Sequence, residues 1–121
     1  MATTKKTAPQ FVWVFENVWR DRHGEEGTNV KVFSTKKKAN AYLAHDIEDY
    51  LTNYDAVTDG KVDPNTVDSL NTNTISTGGV DDPTPTLAEV QKSAAACGWL
   101  NINVDSSGTY ASWSVSKQKV E

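Results

Sequence analysis

The chain has 121 residues, 37% of them hydrophobic, with four tryptophans and a net charge of −4; this is enough apolar surface for one modest core. No apolar run approaches the ~20 residues of a membrane span, and the N-terminal "MATTKKTAPQ" lacks the apolar stretch of a secretory signal. The lone Cys97 excludes an internal disulfide, and a cytoplasmic location without membrane association is the expectation.

The charge is unevenly spread. Residues 1–45 carry eight Lys/Arg against four acids, residues 46–82 carry nine acids against Lys61 alone, and residues 83–121 balance at three and three. A mildly basic first third therefore precedes an acidic block, an asymmetry that bears on partner choice rather than on fold.

Residues 1–9 read as a disordered tail, and residues 10–121 as a single α+β domain. In "FVWVFENVW", Phe11, Trp13 and Phe15 alternate with Val12 and Val14, the pattern of a strand that is apolar on both faces. "RDRHGEEG" turns at Gly24 and Gly27, and "TNVKVF" returns as the second strand of an antiparallel hairpin. A helix follows from an N-cap at Ser34 or Thr35. Its inward stripe is Ala39, Leu43, Ile47, Tyr50 and Tyr54, widened by Tyr42 and Leu51, while Lys37, Lys38, Ala41, His45, Glu48 and Thr52 fall outside.

Residues 53–85 are rich in Asn, Thr, Asp and Gly without a sustained period, and read as a long acidic and polar loop. "TNTIS" is the one candidate edge strand within it. "TPTLAEVQKSAAACGW" restores a helix, with a Thr86/Glu89 capping box and Gly98 at the position of a left-handed cap. "WLNINVDSSGTYASWSV" closes the chain as a hairpin turning at "DSSG". The order β-β-α-loop-α-β-β predicts a four-stranded, mostly antiparallel sheet with both helices on one face. Asn101, Asn103, Ser112 and Ser114 would then look toward solvent.

The first helix is capped well and charged badly. Lys36, Lys37 and Lys38 crowd the end where the backbone dipole is positive, and "HDIED" lies toward the negative end. With Ser34, Thr35 and the free N–H groups of the first turn, these lysines compose a candidate site for a small anion or nucleotide. Solvated lysines, or lysines covered by the acidic block, are the plainer alternatives. No glycine-rich phosphate loop accompanies them.

The acidic block (Asp46, Glu48, Asp49, Asp55, Asp59, Asp63, Asp68, Asp81 and Asp82) suits a protein with a basic surface and opposes direct nucleic-acid binding. Within it, "DAVTDGKVDPNT" fits a calcium loop only at Asp55, Asp59, Gly60 and Val62. Val57 and Thr66 stand where further ligands are required. Trp19, flanked by Arg20 and Arg22 near the first turn, has the composition of an interface hot spot; folding of the indole over the sheet end is the alternative. His23, His45 and Cys97 form no catalytic or metal-ligating spacing, and no cofactor is implied.

The junction "VFSTKKKANAYL" resembles a pattern found in many short reading frames, phage ones included; it spans a dozen residues and implies no activity. Together these features predict a non-enzymatic binding protein working through protein–protein contacts at Trp19, Arg20 and Arg22 and at Asp46, Glu48, Asp49 and Asp55. An accessory or inhibitory role in a phage or other mobile element fits such a protein. The alternative is the anion or nucleotide binder at Ser34–Lys38, and residues 53–85 are candidates for self-association.

Overall fold

The computed structural model describes residues 10–77, 84–104 and 108–120. Its elements are β1 (Gln10–Arg20), β2 (Glu26–Phe33), α1 (Lys36–Asn53), β3 (Val57–Thr58), β4 (Lys61–Val62), β5 (Val67–Asn71), β6 (Ser76–Thr77), α2 (Leu87–Cys97), β7 (Trp99–Val104) and β8 (Thr109–Val120). The expected four-stranded sheet is corrected to six strands in the order β2-β1-β8-β7-β5-β6, all antiparallel, with β3 and β4 as a separate two-stranded hairpin. Both added sheet strands come from the segment read as a loop. The tail at 1–9, Asp81, Asp82 and most of the "DSSG" turn lie outside the described residues.

The strand alternation read from sequence sets the two faces. Phe15 is fully buried and meets Tyr42 of α1 edge to face, with ring centroids 4.8 Å apart. Residues paired across strands share a face, so Trp19, Asn17, Phe15 and Trp13 of β1 look toward the helices with Ala111, Trp113, Val115 and Lys117 of β8. Leu100 and Ile102 of β7 and Leu70 of β5 extend that layer. The opposite face carries Val12, Val14, Val18, Val30 and Val32 on one side, and Ser112, Ser114, Asn101 and Asn103 on the other.

Helix α1 buries Ala39, Leu43, Ile47 and Leu51. This is a strict i+4 row, so Leu51 belongs to the central stripe and the half-buried Tyr50 and Tyr54 flank it. Thr35 is the N-cap, its hydroxyl accepting from the Lys38 N–H at 3.2 Å. The helix ends in a Schellman arrangement: Ala56 N–H donates to the Leu51 carbonyl at 2.8 Å and Asp55 N–H to that of Thr52 at 3.0 Å, with Asp55 left-handed at φ 53°. Helix α2 shows the expected capping box and a left-handed Gly98.

Asp59 and Gly60 both have positive φ, 54° and 76°, and turn the β3–β4 hairpin. That is the demand of a two-residue type I′ connection, so "TDGK" is a hairpin and the calcium-loop reading has no frame. Val62 N–H donates to the Pro85 carbonyl at 3.0 Å and Leu87 N–H to that of Gly60 at 2.8 Å, which ties this hairpin to the start of α2.

Candidate functional site

Strands β1, β2 and β8 gather lysines and aromatics at one end of the helix-side face. Lys36 Nζ lies 5.6 Å from the Trp13 ring centroid. Lys117 Nζ lies 4.3 Å from that of Phe11 and 5.9 Å from that of Trp13. Lys31 Nζ sits 6.0 Å from the Tyr42 ring. Lys119 pairs across strands with Phe11 on the same face, and Lys37 and Lys38 stand exposed on the first turn of α1. Each cation–π contact is worth roughly 0.5–1 kcal/mol at an exposed site. The contact to Trp13 therefore offsets the cost of placing Lys36 at a positive helix end, about 0.3–1 kcal/mol.

No carboxylate neutralises this cluster among the described residues; the ion pairs there are Arg20–Glu26 at 2.9 Å and His45–Asp49 at 3.4 Å. Among the described residues of the acidic block, none forms an ion pair with Lys36, Lys37 or Lys38. Ser34 is exposed, while Thr35 spends both its hydroxyl and its carbonyl on the helix, accepting from Lys38 and Ala39 N–H.

The hairpin-tip residues have internal partners. The Trp19 indole lies against Gly27 on the paired strand, so close that a Cβ built there would stand 2.5 Å from the ring. Trp19 is half-buried against the core. Arg20 pairs with Glu26 and sits 5.7 Å from the Tyr110 ring centroid on the opposite face. Arg22 is exposed in a turn that Asp21 Oδ1 fastens by accepting from the N–H groups of His23 and Glu25 at 2.8 and 3.0 Å. In the acidic block, Asp46 accepts from the Trp113 indole at 2.8 Å, Asp49 faces His45, Asp55 closes α1, and Glu48 is exposed.

The structure does not bring His23, His45 and Cys97 together. His23 lies in the first turn, His45 on the outer face of α1, and Cys97 at the end of α2. Cys97 is half-buried, and its Sγ–H donates to the Trp99 carbonyl at 3.2 Å. Among the described residues no three His, Cys, Asp or Glu side chains are placed to hold a metal, and no helix is long and apolar enough to cross a membrane. A cleft of about 670 Å³ between β6 and α2 is lined by Thr74, Ile75, Ser76, Glu89, Lys92 and Ser93. Ser93 Oγ meets the hydroxyls of Thr72 and Thr74 at 2.5 Å, and the Ser76 hydroxyl donates to Asn71 Oδ1 at 3.1 Å.

Sequence reasoning missed Trp13 as the neighbour of Lys36, and Phe11, Lys31, Lys117 and Lys119 as parts of the same end of the sheet. The alternation of Lys117 and Lys119 is visible in "SKQKV", but their meeting with Phe11 and Trp13 depends on the pairing of β1 with β8. No known protein family, curated protein or solved structure matches the chain.

Proposed function

We propose that this chain is a non-enzymatic binding protein that acts through contact with another protein, and that its principal contact surface is the lysine–aromatic end formed by Phe11, Trp13, Lys31, Lys36, Lys117 and Lys119. The observation that carries this reading is that these ammonium groups converge on aromatic rings without any carboxylate of the described chain beside them. Unneutralised charge held on a fixed frame steers a partner of opposite sign and sets its register. The complementary partner is an acidic protein surface.

Single-stranded nucleic acid is the less suitable polyanion. Stacking of bases requires free ring faces, and here Lys117 lies over Phe11 and Lys36 over Trp13. The exposed Glu48 and the Arg22 tip remain secondary contact candidates.

Titration with poly-L-glutamate, a single-stranded oligonucleotide and inorganic phosphate, read by tryptophan fluorescence, tests the assignment. Polyglutamate is expected to bind in a salt-sensitive manner and to lose most of its affinity to the combined Lys36→Ala, Lys117→Ala and Lys119→Ala substitutions. Binding indifferent to these substitutions would remove the surface from consideration. Tighter binding of the oligonucleotide would reassign it to nucleic acid, and binding of phosphate alone at the α1 start would reassign it to a small anion.

A further inference from the structure

We infer that β2 is a self-pairing edge: a second copy of this chain adds antiparallel to it across a two-fold axis normal to the sheet, joining two six-stranded sheets into one. This does not rest on the lysine–aromatic end.

Three observations point to a second copy. First, among the described residues β2 has a neighbour on one side only, and its eight pairs with β1 run from Trp13↔Phe33 to Arg20↔Glu26 without a shift in register. Edge strands that stay monomeric are ordinarily shortened, bulged, interrupted by proline or guarded by charge. β2 has no proline and no bulge, and neither of its charges stands beside Val30 and Val32 on their face. Lys31 turns to the helix side over Tyr42, and Glu26 pairs with Arg20. Second, Val30 and Val32 are 54% and 61% exposed on the face away from the helices, and Val14 extends the same apolar strip inward as the cross-strand partner of Val32. Third, among the described residues the sheet's other edge, β6, is two residues long. It cannot template a β2 strand, so edge association closes as a symmetric pair instead of propagating.

Register follows from side-chain chemistry. Directly opposed residues in an antiparallel pair share a face, so a two-fold axis of this kind passes through one residue position. Centred on Lys31, it opposes two ammonium groups. Centred on Asn29, it sets Glu26 against Val32 and Gly27 against Lys31. Centred on Val30, it pairs Val30 with its own copy, Thr28 with Val32 and Asn29 with Lys31, leaving no like charges opposed. The Val30-centred register is therefore the one assigned.

Sedimentation velocity on the full chain, from low-micromolar to near-millimolar protein, is expected to show a reversible dimer. Val30→Lys would place two ammonium groups on the axis and raise the dissociation constant by more than about tenfold. Position 30 is exposed, so at concentrations where the chain is monomeric the thermal melt should keep its midpoint, and Val32→Lys repeats the test one pair from the axis. In a Cys97→Ser background, Val30→Cys should cross-link to a covalent dimer under mild oxidation, and Asp55→Cys should not. A chain monomeric at every concentration, a dimer indifferent to both lysine substitutions, or assemblies that grow beyond the dimer would each overturn the inference.

Discussion

The indole N–H of Trp113 donates to the Asp46 carboxylate at 2.8 Å, joining residues 67 positions apart and fastening α1 to the middle of β8. Trp113 is buried under the helix and meets Tyr50 edge to face at 5.2 Å. The Asp46 carboxylate is the acceptor the structure gives that N–H. Asp46→Ala is therefore expected to cost about 1–3 kcal/mol, the range for orphaning a buried donor, and Asp46→Asn, which keeps an acceptor oxygen, to cost less. Urea unfolding followed by tryptophan fluorescence measures both. Asp46 is thus a structural acceptor first, and a loss of partner affinity in Asp46→Ala would report on α1 seating before it reported on contact.

Trp19 over Gly27 makes a second prediction. The ring occupies the space a side chain at position 27 would need, 2.5 Å from an ideal Cβ. Gly27→Ala must push a broad, half-buried indole off the sheet, with an expected cost of about 1–3 kcal/mol as for other overpacking substitutions. Its thermal midpoint should fall, with a change in tryptophan emission. An unchanged midpoint would mean that the indole swings free easily and is available as a contact residue.

Which parts of this arrangement were legible depended on whether periodicity survived in the local sequence. β1 alternates from Phe11 to Phe15 and β7 from Leu100 to Val104, so both declare themselves. α2 announces its ends through Thr86, Glu89 and Gly98. β5 hides. Its core residues are Val67 and Leu70, three apart, because a register irregularity between Val67 and Ser69 resets the alternation. A period of two cannot be seen across a bulge, and the remaining Asp68, Ser69 and Asn71 resemble loop composition. β6 is too short to carry any period. The lysine–aromatic end was illegible for another reason: Trp13 and Lys117 are cross-strand partners 104 residues apart, and pairing between the first and last strands leaves no local trace.

The corrected sheet is itself testable at Leu70. It has no exposed surface and pairs with Ile102 of β7. Leu70→Ala is expected to destabilise the protein by about 2–5 kcal/mol, the range for truncating a well-packed core leucine. In a loop the same change would fall within about 0.5 kcal/mol. The guanidinium midpoint distinguishes the two outcomes, and hydrogen exchange at the Leu70 amide would show whether the strand opens with the whole sheet or before it.

The last prediction concerns Asp55, an expected contact residue that also closes the end of α1. It sits at φ 53°, where an L side chain is strained, and its N–H and that of Ala56 close the helix onto Thr52 and Leu51. Glycine is the residue this position favours, and aspartate is only tolerated there. Asp55→Gly should therefore stabilise the protein, by about 0.5–1 kcal/mol, and Asp55→Val should destabilise it because a β-branched side chain resists the left-handed region more strongly. Paired chemical denaturation of the two variants reads both signs. If Asp55→Gly raised stability while leaving the affinity for a cationic probe such as polylysine unchanged, the carboxylate would have no contact role. If stability rose while that affinity fell, Asp55 would combine both duties, and the strain at the helix end would be the cost of holding a charge where a partner needs it.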